Sequence, residues 1–445
     1  MERREFVGAM GTLGAAAVSA GAAVKPAVSL ASASRAEAGA TVDDWRRHFP
    51  SLAQSVNGHP LVYLDTAATS LRPRQVIDAV SHFYETDNAN PGGALHTLAR
   101  RANDAYEGAR RTVAKFIDAA DASEVVFTRG TSDAINLAAA AWGGANLKPG
   151  DEILIGLAEH ASNMVPWQMI AKRTGAEVRY FAFDDAGHPS QSDLLAKLGP
   201  KTKIVAFSHV SNVLGVLNPA KEICAAVRAA QPRCMILVDG AQSVPHVAVD
   251  VRDIGCDFLA FSSHKMLGPM GVGVLWARRE LLDAMPPYQG GSNMAHDVDV
   301  DSLHLSEGAL KYSAGTPNVS GPVGLAAAMA FLDSIGRSAL WKHEQEVTAR
   351  MIARLSAIRC VRLIGSTKAA EKVAVFAFTV EGRDPGAVLQ ALDQRGVAVR
   401  AGDLAALPLL KHYGVARAVR ASCYMYTTVA EVDAFADALE RIVGG

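Results

Sequence analysis

The sequence predicts an α/β fold, with a large domain on a mostly parallel seven-stranded sheet and a smaller α+β domain. Three observations predict it. Between residue 61 and about residue 277, seven short apolar, β-branched runs recur, each followed by a segment of helical periodicity. Such runs suit strands buried on both faces, with helices as the crossovers. Beyond about residue 305 the pattern changes to long helical stretches and isolated strands. The composition is that of a large globular chain: 445 residues, 49% hydrophobic, 20% charged and 6% aromatic. The chain is too apolar for disorder, and 44 bases against 45 acids leave no surplus for binding nucleic acid.

The elements follow in order. Arg3-Arg4 is succeeded by an Ala/Gly-rich run from Val7 to Val24, then Lys25-Pro26 and small residues that include Ala31-Ser32-Ala33. Paired arginines, a weakly apolar run and an A-x-A site have the layout of a twin-arginine export signal, which places the protein in the periplasm or outside the cell. The plainer alternative is an N-terminal extension on a cytoplasmic protein. The run lacks the bulky apolar core of a stable membrane span, and no second span follows. The expected layout is residues 1–40 as signal peptide, 66–304 as the large domain, and 41–65 with 305–445 as the small domain. The large-domain strands are expected at 125–128, 153–155, 178–183, 204–207, 235–238, 258–261 and 272–275. The small domain is expected to hold a helical stretch from 324 to about 356, a strand at 374–380 and a helix near 385–394. A loop from 401, a strand near 419–425 and an amphipathic helix from 429 complete it. Cys224, Cys234, Cys256, Cys360 and Cys423 are scattered and show no CxxC spacing. They read as small core residues, neither a disulfide framework nor a metal site.

Ligands of parallel α/β sheets bind at the carboxyl ends of strands, and four segments there carry chemistry. Thr128-Arg129-Gly130-Thr131-Ser132 leads from a strand into a helix over 133–141. Its glycine, hydroxyls and free N–H groups suit an anion such as phosphate, although the same pattern caps helices that bind nothing. Val238-Asp239-Gly240-Ala241-Gln242 puts an acid at a strand end, placed for a protonated ring nitrogen or for capping a helix. Phe261-Ser262-Ser263-His264-Lys265 puts a lysine beside a histidine and two hydroxyls. Low dielectric and a neighbouring cation favour its free amine and suit Schiff-base chemistry; the plain alternative is a solvated surface lysine. Glu159-His160 offers an imidazole to stack on a planar ring or shuttle a proton, or else a satisfied core histidine. Asn212 adds a donor at another strand end. A phosphate cradle, an acid, a lysine and a stacking histidine together describe pyridoxal phosphate, a small-molecule amino-acid substrate and no metal.

Longer segments carry a resemblance. They are Tyr63-Leu64-Asp65-Thr66-Ala67-Ala68-Thr69, Glu107-Gly108-Ala109-Arg110, residues 128–136, Glu159-His160 and Val165-Pro166-Trp167-Gln168. Residues 209–215 and 239–242, His264-Lys265, Gly315-Thr316-Pro317-Asn318, Arg400 and Arg420-Ala421-Ser422 complete the set. On these motifs the chain resembles the class V aminotransferases of pyridoxal-phosphate fold type I, most of all the cysteine desulfurase and selenocysteine lyase branch. The resemblance implies that Lys265 forms the Schiff base, Asp239 pairs with the ring nitrogen and His160 stacks on the ring. It implies that Gln242 and Asn212 reach the ring oxygen or the substrate. It assigns Thr131, Ser132, Ser262 and His264 to cofactor binding, chiefly at the phosphate. Thr316 would reach the phosphate of a neighbouring subunit, which implies a homodimer. Arg420 would clamp the substrate carboxylate, with Arg400 nearby.

The chain departs from that branch on the substrate side. The desulfurase loop R-x-G-H-H-C-A reads here Arg400-Ala401-Gly402-Asp403-Leu404-Ala405-Ala406, so alanine stands where the family keeps its persulfide-forming cysteine. A substrate-side His-Arg pair is replaced by Gly92-Gly93, and a second histidine after His160 by Ala161. Cys423 lies three residues past Arg420 and so faces the opposite side of a strand. These losses leave the cofactor side intact. The leading expectation is a lyase or transferase on an amino acid or amino-acid-bearing metabolite, working without a persulfide relay. The alternatives are a desulfurase that delivers sulfur to an external thiol, and a non-catalytic cofactor-binding protein.

Overall fold

The computed structural model describes residues 41–92 and 95–444. The expected signal peptide, Gly93 and Ala94 lie outside these. The seven apolar runs form one sheet: β1 Val125–Thr128, β2 Glu152–Gly156, β3 Glu177–Phe181, β4 Thr202–Ser208, β5 Met235–Asp239, β6 Phe258–Ser262 and β7 Gly273–Ala277. The spatial order is β1-β7-β6-β5-β4-β2-β3. Only β7 runs against the others, antiparallel to β6 and β1. The expected α/β fold with a mostly parallel sheet is the fold found.

The strands alternate between two cores. Leu154, Val205, Ile236, Val238 and Leu259 pack on one face, and Ile153, Ile204, Leu237 and Ala260 on the other. Each large side chain so buried contributes about 1.5–3 kcal/mol. This two-sided burial explains why the runs are continuously apolar. After β2 the chain steps outward to β3, then returns to β4 on the other side of β2 and continues to β5 and β6. The crevice beyond the ends of β2 and β4 is therefore a switch point, the usual ligand position in such sheets.

A second, antiparallel sheet comprises β8 Val361–Leu363, β9 Val375–Val380, β10 Arg400–Gly402 and β11 Ala418–Ser422, in the order β8-β9-β11-β10. Residues 400–402 are thus a strand where the sequence suggested the start of a loop, and the strand expected to reach 425 ends at Ser422. The helix expected at 133–141 begins at Thr131 and gives way at Ala138 to a wider turn. The helical stretch expected from 324 to 356 is two helices, Ser320–Ile335 and Arg337–Ala357, bent by 81°. Gly336 makes the break with φ +88°, a conformation open mainly to glycine. An exposed hairpin, Ala295–Val298 with Leu303–Leu305, was not foreseen. Among the described residues no single helix is long and apolar enough to cross a membrane.

Candidate active site

A cavity of about 510 Å³ opens beyond the carboxyl ends of β1, β2, β4, β5 and β6. The loops that follow these strands bring Thr131, Ser132, His160, Asn212, Asp239 and Gln242 to its wall. Ser262, His264 and Lys265 line it too, and the second sheet adds Arg400 and Arg420. Among the expected site residues Thr316 alone stays outside this lining; its hydroxyl accepts a hydrogen bond from Asn90 Nδ2 at 3.2 Å.

Lys265 follows β6 on a short helical turn. Burial lowers its ammonium to about 8; Asp239 opposes the shift and Arg420 adds to it. Asp239 ends β5, buried, with Oδ1 accepting from the Ala241 amide at 2.9 Å. Burial raises its pKa, against the Ala241 hydrogen bond and the Lys265 charge. A protonated ring nitrogen would supply the counter-charge this carboxyl lacks.

His160 follows β2. Its Nδ1 accepts from the Ser162 amide at 3.1 Å, and burial, then Lys265 and Arg420, push its pKa down to about 4. The ring is therefore neutral near pH 7, with the proton on Nε2. Its neighbour Glu159 is buried and ties strand ends together. Its Oε1 accepts from the Ser208 amide at 2.8 Å and the Ser208 hydroxyl at 3.1 Å, and Oε2 from Asn163 at 2.7 Å. Burial pushes Glu159 up to about 8 despite these donors.

The hydroxyl end of the cavity is built on a close backbone approach. Gly130 is extended and lies over Gly273, where an added Cβ would sit 2.4 Å from the Gly130 Cα. Beyond it, Thr131 N and Oγ1 meet Ser262 Oγ at 2.7 and 2.6 Å, and Ser132 Oγ meets Ser162 Oγ at 2.6 Å. His264 stands beside them, held neutral near pH 7 by burial, Lys265 and Arg72, which lower it to about 4.

The opposite end holds the arginines. Arg400 and Arg420 face each other across β10 and β11, a pairing of like charges that destabilises sheets. Asp65 resolves it. Its carboxylate accepts from Arg400 Nη2 at 2.7 Å and Arg400 Nε at 3.1 Å, and from Arg420 Nη2 at 3.4 Å. Arg420 Nη1 also donates to Asn212 O at 2.9 Å. Each terminal nitrogen of Arg420 carries a second N–H, so a carboxylate can still be clamped there. Burial lowers Arg420 to about 10, with Asp65 opposing.

Two expected ligand contacts are already engaged. Asn212 Nδ2 donates to Leu404 O at 2.9 Å, and Gln242 Nε2 to Ala67 O at 2.7 Å. The first belongs to a set of pins on the 402–406 loop. Ala161 N donates to Ala405 O at 2.7 Å, and Ala405 N donates to Asp403 Oδ1 at 3.0 Å. Leu404 and Ala405 are both held at φ +53°, which costs about 1 kcal/mol each for non-glycine residues. Leu404 and Ala406 are buried against Leu409 and Leu410. All five cysteines are described and none lines the cavity. Cys423 is fully buried, its thiol pushed well up by burial.

The donor set fits pyridoxal phosphate: hydroxyls and a backbone amide at one end, an arginine at the other, and an acid, an imidazole and a lysine of lowered pKa between them. Sequence reasoning had given no role to Asp65, although it lies inside a matched motif, nor to the loop pins, whose partners are far apart in the chain.

The class V aminotransferase family model matches residues 62–435. A cysteine desulfurase of Synechococcus elongatus is 46% identical over 400 residues, which cover 90% of this chain and 63% of that protein. A probable cysteine desulfurase of Halalkalibacterium halodurans is 45% identical over 396 residues, 89% of this chain and 96% of that protein. The chain spans between 58% and 65% of the length of three such relatives. The apo cysteine desulfurase of Thermococcus onnurineus NA1 is similar in structure, with a TM-score of 0.84 at 34% identity, over 89% of this chain and 98% of that one.

Proposed function

Because the chain belongs to the class V aminotransferase family, we propose that it is a pyridoxal-phosphate enzyme that takes sulfur from cysteine or a close analogue and hands it to a thiol from outside the chain. The carrying observation is that Lys265, Asp239 and Arg420 line one cavity in which Ala405 also lines the wall. The names of the relatives support a cysteine-type substrate. They favour the external-thiol reading over a lyase or transferase of wider scope, the reading that Ala405 and Gly92-Gly93 suggest from the sequence. A methyl group at 405 carries no sulfur, so the acceptor must arrive separately.

When bound, pyridoxal phosphate withdraws electrons from the amino acid joined to it. Thr131, Ser132, Ser262 and His264 would hold its phosphate, Asp239 its ring nitrogen and His160 its face. Gln242 and Asn212 steady the Ala67 and Leu404 carbonyls on either side. Arg420 orients the substrate carboxylate, and Arg400 is held beside it by Asp65. Lys265 moves protons at the substrate carbons, its lowered pKa leaving a useful share of free amine near neutrality. Thr316 serves the phosphate of a second copy in a homodimer, and residues 1–40 direct export through Arg3-Arg4. Gel filtration of the loaded protein checks the first of these, and fractionation of an Arg3-Arg4→Lys-Lys variant the second.

The test is the loaded protein with cysteine and dithiothreitol. Alanine and sulfide should form in equal amounts, and Lys265→Ala should form neither. Pyruvate and ammonia in place of alanine would move the assignment to an eliminating lyase. No product from a protein that holds its cofactor would leave only a carrier.

A further inference from the structure

The external-thiol reading leaves open which thiol is used, and the 402–406 loop carries a feature that bears on it. Asp403 lines the cavity and is exposed, yet forms no ion pair among the described residues. The two arginines of the cavity are otherwise engaged, since Asp65 takes Arg400 through three hydrogen bonds and also takes Arg420. Asp403 and His160 line the same cavity, near enough for the Asp403 charge to raise the imidazole pKa against the larger lowering by burial. Its Oδ1 accepts from the Ala405 amide at 3.0 Å, which ties the carboxylate to the residue whose side chain is only a methyl, and both residues line the cavity. The loop cannot easily swing this charge away. Two hydrogen bonds from Ala161 and Asn212 hold its carbonyls, and Leu404 and Ala406 are anchored in an apolar cluster.

We propose that Asp403 selects the sulfur acceptor, a small thiol that carries an ammonium group. The proposal rests on the external-thiol reading. The thiol enters beside Ala405 with its ammonium on the free Oδ2 of Asp403. Its thiolate sulfur attacks the sulfur of the bound cysteine. An S–S bond forms, the Cβ–S bond breaks, and the Cβ–S electron pair ends in a new C–H bond at Cβ. Cysteine and the thiol become alanine and the persulfide of the thiol. The two sulfurs are oxidised as Cβ is reduced, and no other oxidant is needed.

The experiment compares kcat/KM for cysteamine and 3-mercaptopropionate as acceptors, with cysteine as donor and alanine as readout, in wild type and in Asp403→Asn. Asparagine keeps an oxygen for the Ala405 amide while removing the charge, and thermal melting checks that the loop survives. Taking the ratio between the two proteins cancels the intrinsic reactivities of the two thiols. The preference for cysteamine should fall about five- to tenfold in the variant, the scale of a partly exposed charge contact that attracts one thiol and repels the other. An unchanged ratio with alanine still formed overturns the assignment of Asp403 and leaves the external-thiol reading standing. No alanine with either thiol, in a wild-type protein that holds its cofactor, overturns both.

Discussion

A lysine becomes a nucleophile only when it gives up its proton, and at Lys265 burial favours that loss more than Asp239 opposes it. Reaction of the apoprotein with pyridoxal phosphate should therefore speed up as pH rises and level off above about 8, where an ordinary lysine would go on rising towards about 10.4. Stopped-flow absorbance after mixing measures this profile. Asp239 opposes the lowering, so Asp239→Asn should move the midpoint below that of wild type; a midpoint that stays put or rises contradicts the account. The position of Lys265 at the cavity was legible because an apolar strand ran directly into Ser-Ser-His-Lys. What was not legible was the neutrality of His160 and His264, which comes from burial and from charges on other loops.

At the scale of elements, the seven strands could be read from sequence because both faces are buried and each run is continuously apolar. The bend at Gly336 could not, since apolar periodicity continues through it and one glycine changes only the direction. The hairpin 295–305 was equally silent: its residues are mostly exposed, so no buried face imposes alternation. Gly273 shows how one element can set another's position. Its missing side chain lets β7 pass directly beneath Gly130, and that contact places Thr131 and Ser132. Gly273→Ala should push the Gly130 backbone outward, at a cost of about 1–3 kcal/mol in stability. Affinity for pyridoxal phosphate should weaken by about tenfold. Equilibrium unfolding and cofactor titration measure the two effects, and unchanged titration would show that this approach does not matter to cofactor binding.

On the scale of the whole molecule, the cavity exists because two sheets and an N-terminal segment meet. Asp65 is the joint: it bridges to Ser422 on β11 and neutralises both Arg400 and Arg420, residues more than 330 positions away. No local pattern announces such a contact, which is why the sequence showed the arginines and not their partner. Asp65→Ala should leave Arg420 buried without its counter-charge and destabilise the protein by about 3 kcal/mol. A carboxylate ligand then replaces part of what was lost, so a saturating amino acid should raise the melting temperature more in the variant than in wild type. An equal rise in both would remove Asp65 from this role. The pinned 402–406 loop has a consequence for observing the enzyme at work. The Ala161 amide proton is given to Ala405 O, on a different segment of the chain, so it can exchange with solvent deuterium only when the two segments part. That single amide is a built-in clock for loop opening, and its exchange rate, followed while substrates come and go, counts how often this wall moves.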